Sequence, residues 1–209
     1  ATFCDVQVSL LHTRLSIIDL DPRANQPFRR DGLVMVYKGE VYNYLEIRKK
    51  LEGLGHTFNT SSDTEVVLEA YRAWGTDAFD EFEGMWALAI LDPERGLVLS
   101  RDRFGEKPLY TQMVDGTLYF ASEISALAAL SGRKPRIDQT HTMRYLVNGY
   151  KAANKTPRTF YEDVTVFPQA SWAVLTKGEA PQTQTYWQLA YKPREMSEQD
   201  AADEARRLL

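Results

Sequence analysis

Five residues in the first third of the chain have side chains or backbone groups that could bind a small zwitterion: Arg14, Lys38, Gly39, Glu40 and Asp63. An arginine can donate two parallel hydrogen bonds to a carboxylate, and acidic side chains can accept hydrogen bonds from an ammonium group. This set of groups would therefore suit an α-amino acid. Taken one at a time, each residue also has an ordinary interpretation, with Arg14 in a surface ion pair, Glu40 as a solvated turn residue and Asp63 as a helix cap.

The apolar pattern predicts the elements that place these residues. The run 33–37 predicts a buried strand, after which Lys38, Gly39 and Glu40 would lead the chain towards a helix over 43–54. Asn43 is the expected N-cap of that helix. Ser62 and Glu65 form a capping-box pattern that predicts a second helix beginning near Asp63.

The second half of the chain changes to strand periodicity. Four strand-like runs are separated by turn residues: MWALAILD, LVLSRD, LYTQMV and TLYFAS. Shorter helices near 123–130 and 139–148 are expected to follow them. Strands, then helices, then many antiparallel strands predict an α+β fold with layered sheets rather than a doubly wound parallel sheet.

Composition excludes several classes of protein. The net charge of −4 gives no electrostatic case for binding nucleic acid or an anionic membrane. No apolar run approaches the roughly 20 residues of a membrane span, and no glycine-rich phosphate loop occurs. The single cysteine, Cys4, cannot form an internal disulfide, and the three scattered histidines show no metal-ligand spacing. We therefore expect a cytoplasmic protein without a metal site or cofactor in this chain.

Six fragments, in this order over residues ~5–130, resemble the glutaminase domain of glutamine-dependent asparagine synthetases: HTRLSIIDL, GEVYNYLEIR, SSDTEVVLEAY, EFEGMWALAI, RDRFGEKPLY and FASEISAL. Those domains are class II glutamine amidotransferases with an N-terminal-nucleophile hydrolase fold. The resemblance implies a four-layer αββα sandwich of antiparallel sheets. It also implies an amidotransferase-like domain over 1–190 and a linker helix over 191–209 that leads to a synthetase domain absent from this chain.

The resemblance also implies roles for the five residues. Arg14 would bind the substrate α-carboxylate, and Glu40 and Asp63 would lie near its α-amino group. The backbone N–H of Gly39 would donate to the oxyanion. Lys38 departs from the family pattern, since it occupies the position of the asparagine that usually supplies the second oxyanion donor.

The implied activity is the release of ammonia from glutamine for transfer to an ATP-activated carboxylate such as aspartate. Glutamine and the synthetase domain would be the partners of this domain, and a homodimer is possible. ATP and magnesium would be bound by the absent synthetase domain.

The family's nucleophile, an N-terminal cysteine in a C-G-I-x-G context, has no counterpart here. Cys4 is followed by Asp5-Val6-Gln7, and HTRLSIIDL begins only eight residues later. We therefore expect a piece of an asparagine synthase (glutamine-hydrolysing) type of protein that lacks its first strand region and is inactive by itself. The alternative is a non-catalytic domain of the same fold in an amide ligase without a nucleophile, as in β-lactam synthetases. A pure interaction module ranks last, because it leaves the five residues unexplained.

Overall fold

A computed structural model describes residues 2–4, 7–14, 18–19, 21–149, 158–175 and 179–208. The first half of the chain contains β1 (Thr2–Cys4), β2 (Ser9–Leu11), a 3₁₀ turn (Pro22–Ala24), β3 (Phe28–Arg30), β4 (Leu33–Val41), α1 (Tyr44–Gly53), α2 (Asp63–Trp74), a second 3₁₀ turn (Gly75–Asp77) and α3 (Ala78–Glu81). The second half contains β5 (Gly84–Asp92), β6 (Gly96–Arg101), β7 (Tyr110–Val114), β8 (Thr117–Ala121), α4 (Ile124–Ser131), α5 (Gln139–Asn148), β9 (Thr165–Val166), β10 (Ser171–Leu175), β11 (Gln184–Thr185) and α6 (Glu198–Leu208).

The strands form antiparallel sheets. A six-stranded sheet has the order β11-β10-β6-β5-β4-β3, and a three-stranded sheet has the order β8-β7-β9. The short strands β1 and β2 pair with each other. Sequence-adjacent strands such as β5 and β6, or β7 and β8, pair directly, because short turns between them favour antiparallel neighbours.

The six-stranded sheet has an apolar core on each face, and successive side chains of β4 point alternately into one core and the other. Met35 and Tyr37 pack into an apolar core with residues of α1 and α2, such as Leu51. Val34 and Val36 pack on the opposite face, in a core that includes Leu109, Phe167 and, partly buried, Phe120. Helix α4 lies against β7 and β8 on the far side. The layers are therefore helix, sheet, sheet, helix, which confirms the predicted α+β, four-layer αββα fold class.

Strand β4 is longer than the sequence predicted. The expected end at residue 37 is wrong, because Lys38, Gly39 and Glu40 continue in register opposite Ala87, Trp86 and Met85 of β5. A Cβ atom at position 39 would lie 2.1 Å from the carbonyl oxygen of Met85, so the close approach of the two strands requires glycine there. The charged residues are accommodated because their side chains project into a cavity rather than into a packed core.

The two predicted helix starts form by different contacts. The Ser62 hydroxyl accepts a hydrogen bond from Thr64 N at 3.2 Å and caps α2 as expected. Asn43 precedes α1 but makes no side-chain cap. Its amide instead donates to Glu81 O at 2.9 Å and accepts from Glu83 N at 2.9 Å, which ties α1 to the segment before β5.

The described helices include no segment that is both long and apolar enough to cross a membrane. Within the same described ranges, no group of three or more His, Cys, Asp or Glu side chains could hold a metal ion.

Candidate functional site

A cavity of about 1070 Å³ lies between the two sheets. Its apolar walls include Val36 and Ala89 from the six-stranded sheet, Phe120 from β8 and Ala126 from α4. Small-molecule sites are typically concave, mostly apolar and about 300–1,000 Å³ in volume, with a few polar groups that fix the ligand's orientation. This cavity matches the upper end of that range.

All five residues of interest line this one cavity: Arg14, Lys38, Gly39, Glu40 and Asp63. They come from three separate parts of the fold, namely the segment after β2, the end of β4 and the first turn of α2. Lys38 and Glu40 share the face of β4 that carries Val36, because side chains alternate along a strand. The structure thus brings the predicted set together, while the binding roles of its members stay predictions.

The backbone of Gly39 points away from β5. Trp86, which lies opposite Gly39 on β5, makes its two backbone hydrogen bonds with Asp102 and not with Gly39. Trp86 N donates to Asp102 Oδ2 at 3.2 Å, and Trp86 O accepts from Asp102 N at 3.0 Å. Gly39 and Trp86 therefore form a non-hydrogen-bonded pair of the antiparallel ladder. The N–H and C=O of Gly39 must point to the opposite edge of β4, beyond the end of β3.

On that edge of β4, the backbone groups of Tyr37 and Val41, two residues before and after Gly39, already have hydrogen-bond partners. Gln26, which is buried, donates through Nε2 to Tyr37 O at 2.9 Å and accepts from Tyr37 N at 2.5 Å. On the other side, Val41 N donates to Asp63 Oδ2 at 3.3 Å. Among the described residues, no protein acceptor is found for the Gly39 N–H that lies between them. This donor at the cavity wall is available to a ligand.

Asp63 is a buried carboxylate that receives hydrogen bonds from neutral groups. Tyr37 donates its hydroxyl to Asp63 Oδ2 at 2.8 Å, and Ser62 lies 3.4 Å from Oδ1. Burial raises the pKa of Asp63, and the hydrogen bonds partly counter that effect. Burial, together with the Asp63 charge, also raises the pKa of Tyr37. An ammonium group placed beside Asp63 would compensate its charge.

Arg14 is held by carbonyl oxygens rather than by acids. Its Nη2 donates to Ile18 O at 3.0 Å and Asp19 O at 2.5 Å, and its Nη1 donates to Asn25 Oδ1 at 3.2 Å. Across the described residues, no ion pair joins Arg14 to Glu40 or Asp63. Nη1 also donates to Asp21 O at 3.4 Å, so all four Nη hydrogens have acceptors. A carboxylate bound by Arg14 must therefore use its Nε–H or replace one of these oxygens.

The loop that Arg14 holds is bound in turn to the start of α2. Asp19 Oδ2 accepts from Ser61 N at 2.8 Å and from Ser61 Oγ at 2.9 Å. Backbone N–H groups of Asp21 and Ser61 lower the pKa of Asp19. Through this loop, Arg14 is positioned relative to Asp63, two residues beyond Ser61.

Other residues at the cavity were missed by sequence reasoning. His12 and Lys107 line it, and burial lowers the pKa of His12. Tyr37 and Gln26 also line it, and no motif points to either. The one available signal was that Tyr37 follows an aliphatic run in a predicted buried strand. A buried tyrosine hydroxyl needs a hydrogen-bond partner.

Cys4 lies apart from this arrangement. Its side chain is exposed on β1, and it is absent from the residues that line the cavity. The expectation that Cys4 is not the nucleophile stays a prediction.

Comparison with known proteins gives concordant matches. Residues 1–187 match the sequence profile of a family described as a glutamine amidotransferase domain. The glutamine-hydrolyzing asparagine synthetase 1 of Bacillus subtilis (strain 168) is 32% identical over 98% of this chain and 32% of its own length. A putative glutamine-hydrolyzing asparagine synthetase 2 of Methanocaldococcus jannaschii is 35% identical over 71% of this chain and 32% of its own length.

A solved structure shares the fold. The glutamine phosphoribosylpyrophosphate amidotransferase of B. subtilis superimposes with a TM-score of 0.58 at 19% identity, over 84% of this chain and 34% of that chain. The present chain therefore spans about a third of the length of these relatives.

Proposed function

This chain belongs to the glutamine amidotransferase domain family, and we propose that its cavity binds L-glutamine for the release of ammonia. The resemblance that six sequence fragments predicted is confirmed at the level of the family. The substrate and the role of each residue are the proposal.

The convergence of three separate elements on one cavity carries this proposal. Arg14 would bind the α-carboxylate, because a guanidinium and a carboxylate form strong charge-assisted hydrogen bonds. Glu40 and the buried Asp63 would receive the α-ammonium group. The ligand would thus supply the compensating charge that Asp63 lacks in the protein.

The side-chain amide of the substrate would lie at the open edge of β4. There the Gly39 N–H would donate to the carbonyl oxygen, which becomes an oxyanion when the amide is attacked; the register of β4 and β5 supports this role. Loss of one such donor typically costs about 10²–10³ in rate.

The acceptor of the ammonia would lie outside this chain. By analogy with the asparagine synthetases that match it, the longer protein would transfer ammonia to an ATP-activated carboxylate such as aspartate, with ATP and magnesium bound by a synthetase domain. Residues 191–208 are almost entirely exposed. This exposure suits a linker helix, and the boundary at residue 190 stays a prediction.

We predict that residues 1–209 alone do not hydrolyse glutamine. Removal of a nucleophile alone costs about 10⁶ in rate, and Cys4 lies outside the cavity. Glutamate release would be measured against a heat-inactivated control. Turnover that disappears in the Cys4→Ala variant would identify Cys4 as the nucleophile and contradict this prediction.

A non-catalytic domain of the same fold is the second candidate, and Lys38 favours it. Lys38 replaces the amide donor that the family resemblance implies at this position. The gene sequence upstream of Ala1 separates the two candidates. Codons for Cys-Gly-Ile directly after the initiating Met support the enzyme, whereas their absence from the whole gene supports the non-catalytic domain.

Isothermal titration tests the substrate proposal. L-Glutamine would be compared with D-glutamine and with 4-carbamoylbutanoate, which lacks the α-amino group. We expect L-glutamine to bind at least about tenfold more tightly than either analogue. 4-Carbamoylbutanoate has no ammonium group and D-glutamine would direct its ammonium group away from Asp63, so each would leave this buried acid without its cationic partner. Equal binding of all three compounds, or no binding of L-glutamine, would contradict the proposal.

A further inference from the structure

We propose that Lys38 makes the side-chain end of this site specific for an anion, so that L-glutamate binds more tightly than L-glutamine. The inference rests on the proposed function, because it assumes that an α-amino acid occupies the cavity. It concerns the other end of that ligand, for which the proposed function assigns no role to Arg14, Glu40 or Asp63.

The direction of the Lys38 side chain follows from the register of β4. Lys38 and Glu40 project from the same face of the strand, both line the cavity, and Gly39 lies between them. Two residues of a strand span roughly 7 Å. This spacing lets Glu40 contact the α-amino end of a five-carbon amino acid while Lys38 contacts its δ-carbon end, beside the open Gly39 N–H.

The ammonium group of Lys38 has no ion-pair partner in the described part of the chain. Among the described residues, the only lysine that forms an ion pair is Lys50, which contacts Glu81 at 2.8 Å. Lys38 is exposed to solvent and lines the cavity. Its flexible stem allows the ammonium group to approach a ligand from that side.

An ammonium group and a carboxamide select different ligands. The amide that the family resemblance implies here could donate to a neutral carbonyl oxygen or to an oxyanion without adding charge. A lysine adds a full positive charge, and hydrogen bonds between charged partners are roughly twice as strong as neutral ones. The δ-carboxylate of glutamate therefore gains more from Lys38 than the δ-amide of glutamine does. If glutamate is the hydrolysis product, the site retains it.

Isothermal titration of the protein with L-glutamine and L-glutamate in low-salt buffer at neutral pH tests this inference. We expect glutamate to bind at least about tenfold more tightly, in line with a hydrogen bond between charged groups. The preference should shrink as the salt concentration rises, since this part of the cavity is open to solvent.

Variants assign the preference to a residue. Lys38→Met should abolish the preference for glutamate, and Lys38→Asn should reverse it in favour of glutamine. Lys49→Met is the matched control, because Lys49 is exposed on α1 and does not line the cavity. This control variant should keep the wild-type ratio of the two affinities.

Three results would overturn the inference, and they are distinguishable. Glutamine binding that equals or exceeds glutamate binding in the wild type contradicts it and leaves the proposed function intact. A glutamate preference that survives in both Lys38 variants assigns the specificity to another residue. Failure of both amino acids to bind removes the proposed function together with this inference.

Discussion

Two groups of charged residues each include acidic residues of helix α2. They differ in whether protein groups of opposite charge compensate their charges. The paired cluster consists of Arg30, His56, Glu65, Glu69 and Arg72. Arg30 contacts Glu65 Oε1 at 2.5 Å, and the buried Glu69 lies 2.8 Å from Arg30 Nε, from His56 Nδ1 and from Arg72 Nη2. The Arg30 Nε–Glu69 Oε1 contact is an ion pair rather than an aligned hydrogen bond.

The cavity cluster consists of Arg14, Lys38, Glu40 and Asp63. Asp63 precedes Glu65 by two residues, yet its partners are the neutral groups of Tyr37, Ser62 and Val41. Within the described part of the chain, none of the four residues forms an ion pair with a protein group.

This difference distinguishes charges that stabilise the fold from charges that are available to a ligand. Glu65 accepts from Thr60 N at 2.7 Å and from Thr60 Oγ1 at 2.6 Å, so the paired cluster fixes the segment that leads into α2. That segment places Asp63 at the cavity. Truncation in the paired cluster should thus reduce stability, whereas charge removal in the cavity cluster should reduce binding.

The largest expected effect is that of Glu69→Ala. Removal of this buried acid leaves Arg30 without one of its partners, so we expect a loss of about 3 kcal/mol in the free energy of unfolding. Urea denaturation would measure it. The control is Glu52→Ala, which removes an exposed ion pair with Arg48 and should cost less than about 1 kcal/mol. Equal losses in the two variants would contradict the distinction between the clusters.

Asp63→Asn should separate binding from stability. The asparagine oxygen can still accept from Tyr37 and from Val41 N, so the free energy of unfolding should change by less than about 1 kcal/mol. Affinity for L-glutamine should fall at least about tenfold, because the ammonium group loses its buried charged partner. Calorimetric titration and urea denaturation of one sample give both values. A variant that loses stability but keeps its affinity would assign Asp63 a structural role only.

Tyr37→Phe should have a moderate effect that depends on pH. Loss of its hydroxyl removes one hydrogen bond to Asp63 and should cost about 1 kcal/mol of stability. It should also raise the pKa of Asp63 further, since this bond favours the ionised carboxylate. Glutamine affinity should then weaken more at acidic pH than at alkaline pH. A pH-independent loss would show that Tyr37 acts by packing alone.

The smallest expected effect is the contribution of Asp63 to the pH dependence of stability. Burial raises its folded-state pKa above the ordinary value of 3.8, so its contribution to stability is fully present below that value. The contribution is lost as the pH rises through the folded-state pKa. The free energy of unfolding of the wild type, relative to Asp63→Asn, should therefore decline with rising pH. An increase would mean that Asp63 gains a cationic partner in the folded protein.

The sequence predicts the framework of this site better than its contacts. The first turn of α2 and the strand runs of β5 to β8 follow from local periodicity and capping, and the structure contains them. Strand β4 extends beyond its predicted end because pairing with β5 continues across Gly39. Local pattern cannot report such pairing, since it depends on a strand more than forty residues away.

The contacts that tune the site are also non-local. Tyr37 meets Asp63 across 26 positions, and Ser61 meets Asp19 across 42. The capping-box pattern at Ser62 predicted the cap but not the role of Glu65, which pairs with Arg30 instead of closing the box. The hydrogen-bond donors of a buried acid depend on which elements pack against it. Local sequence therefore does not predict them.

A crystal structure of the protein with bound L-glutamine would show whether the five residues form an amino-acid site. We expect electron density for the ligand in the cavity between the sheets, with its α-carboxylate at Arg14 and its α-ammonium group within hydrogen-bonding distance of Glu40 and Asp63. Its side-chain oxygen should accept from the Gly39 N–H. Glutamine bound in the reverse orientation, or at a surface away from these residues, would show that these residues do not form the proposed glutamine site.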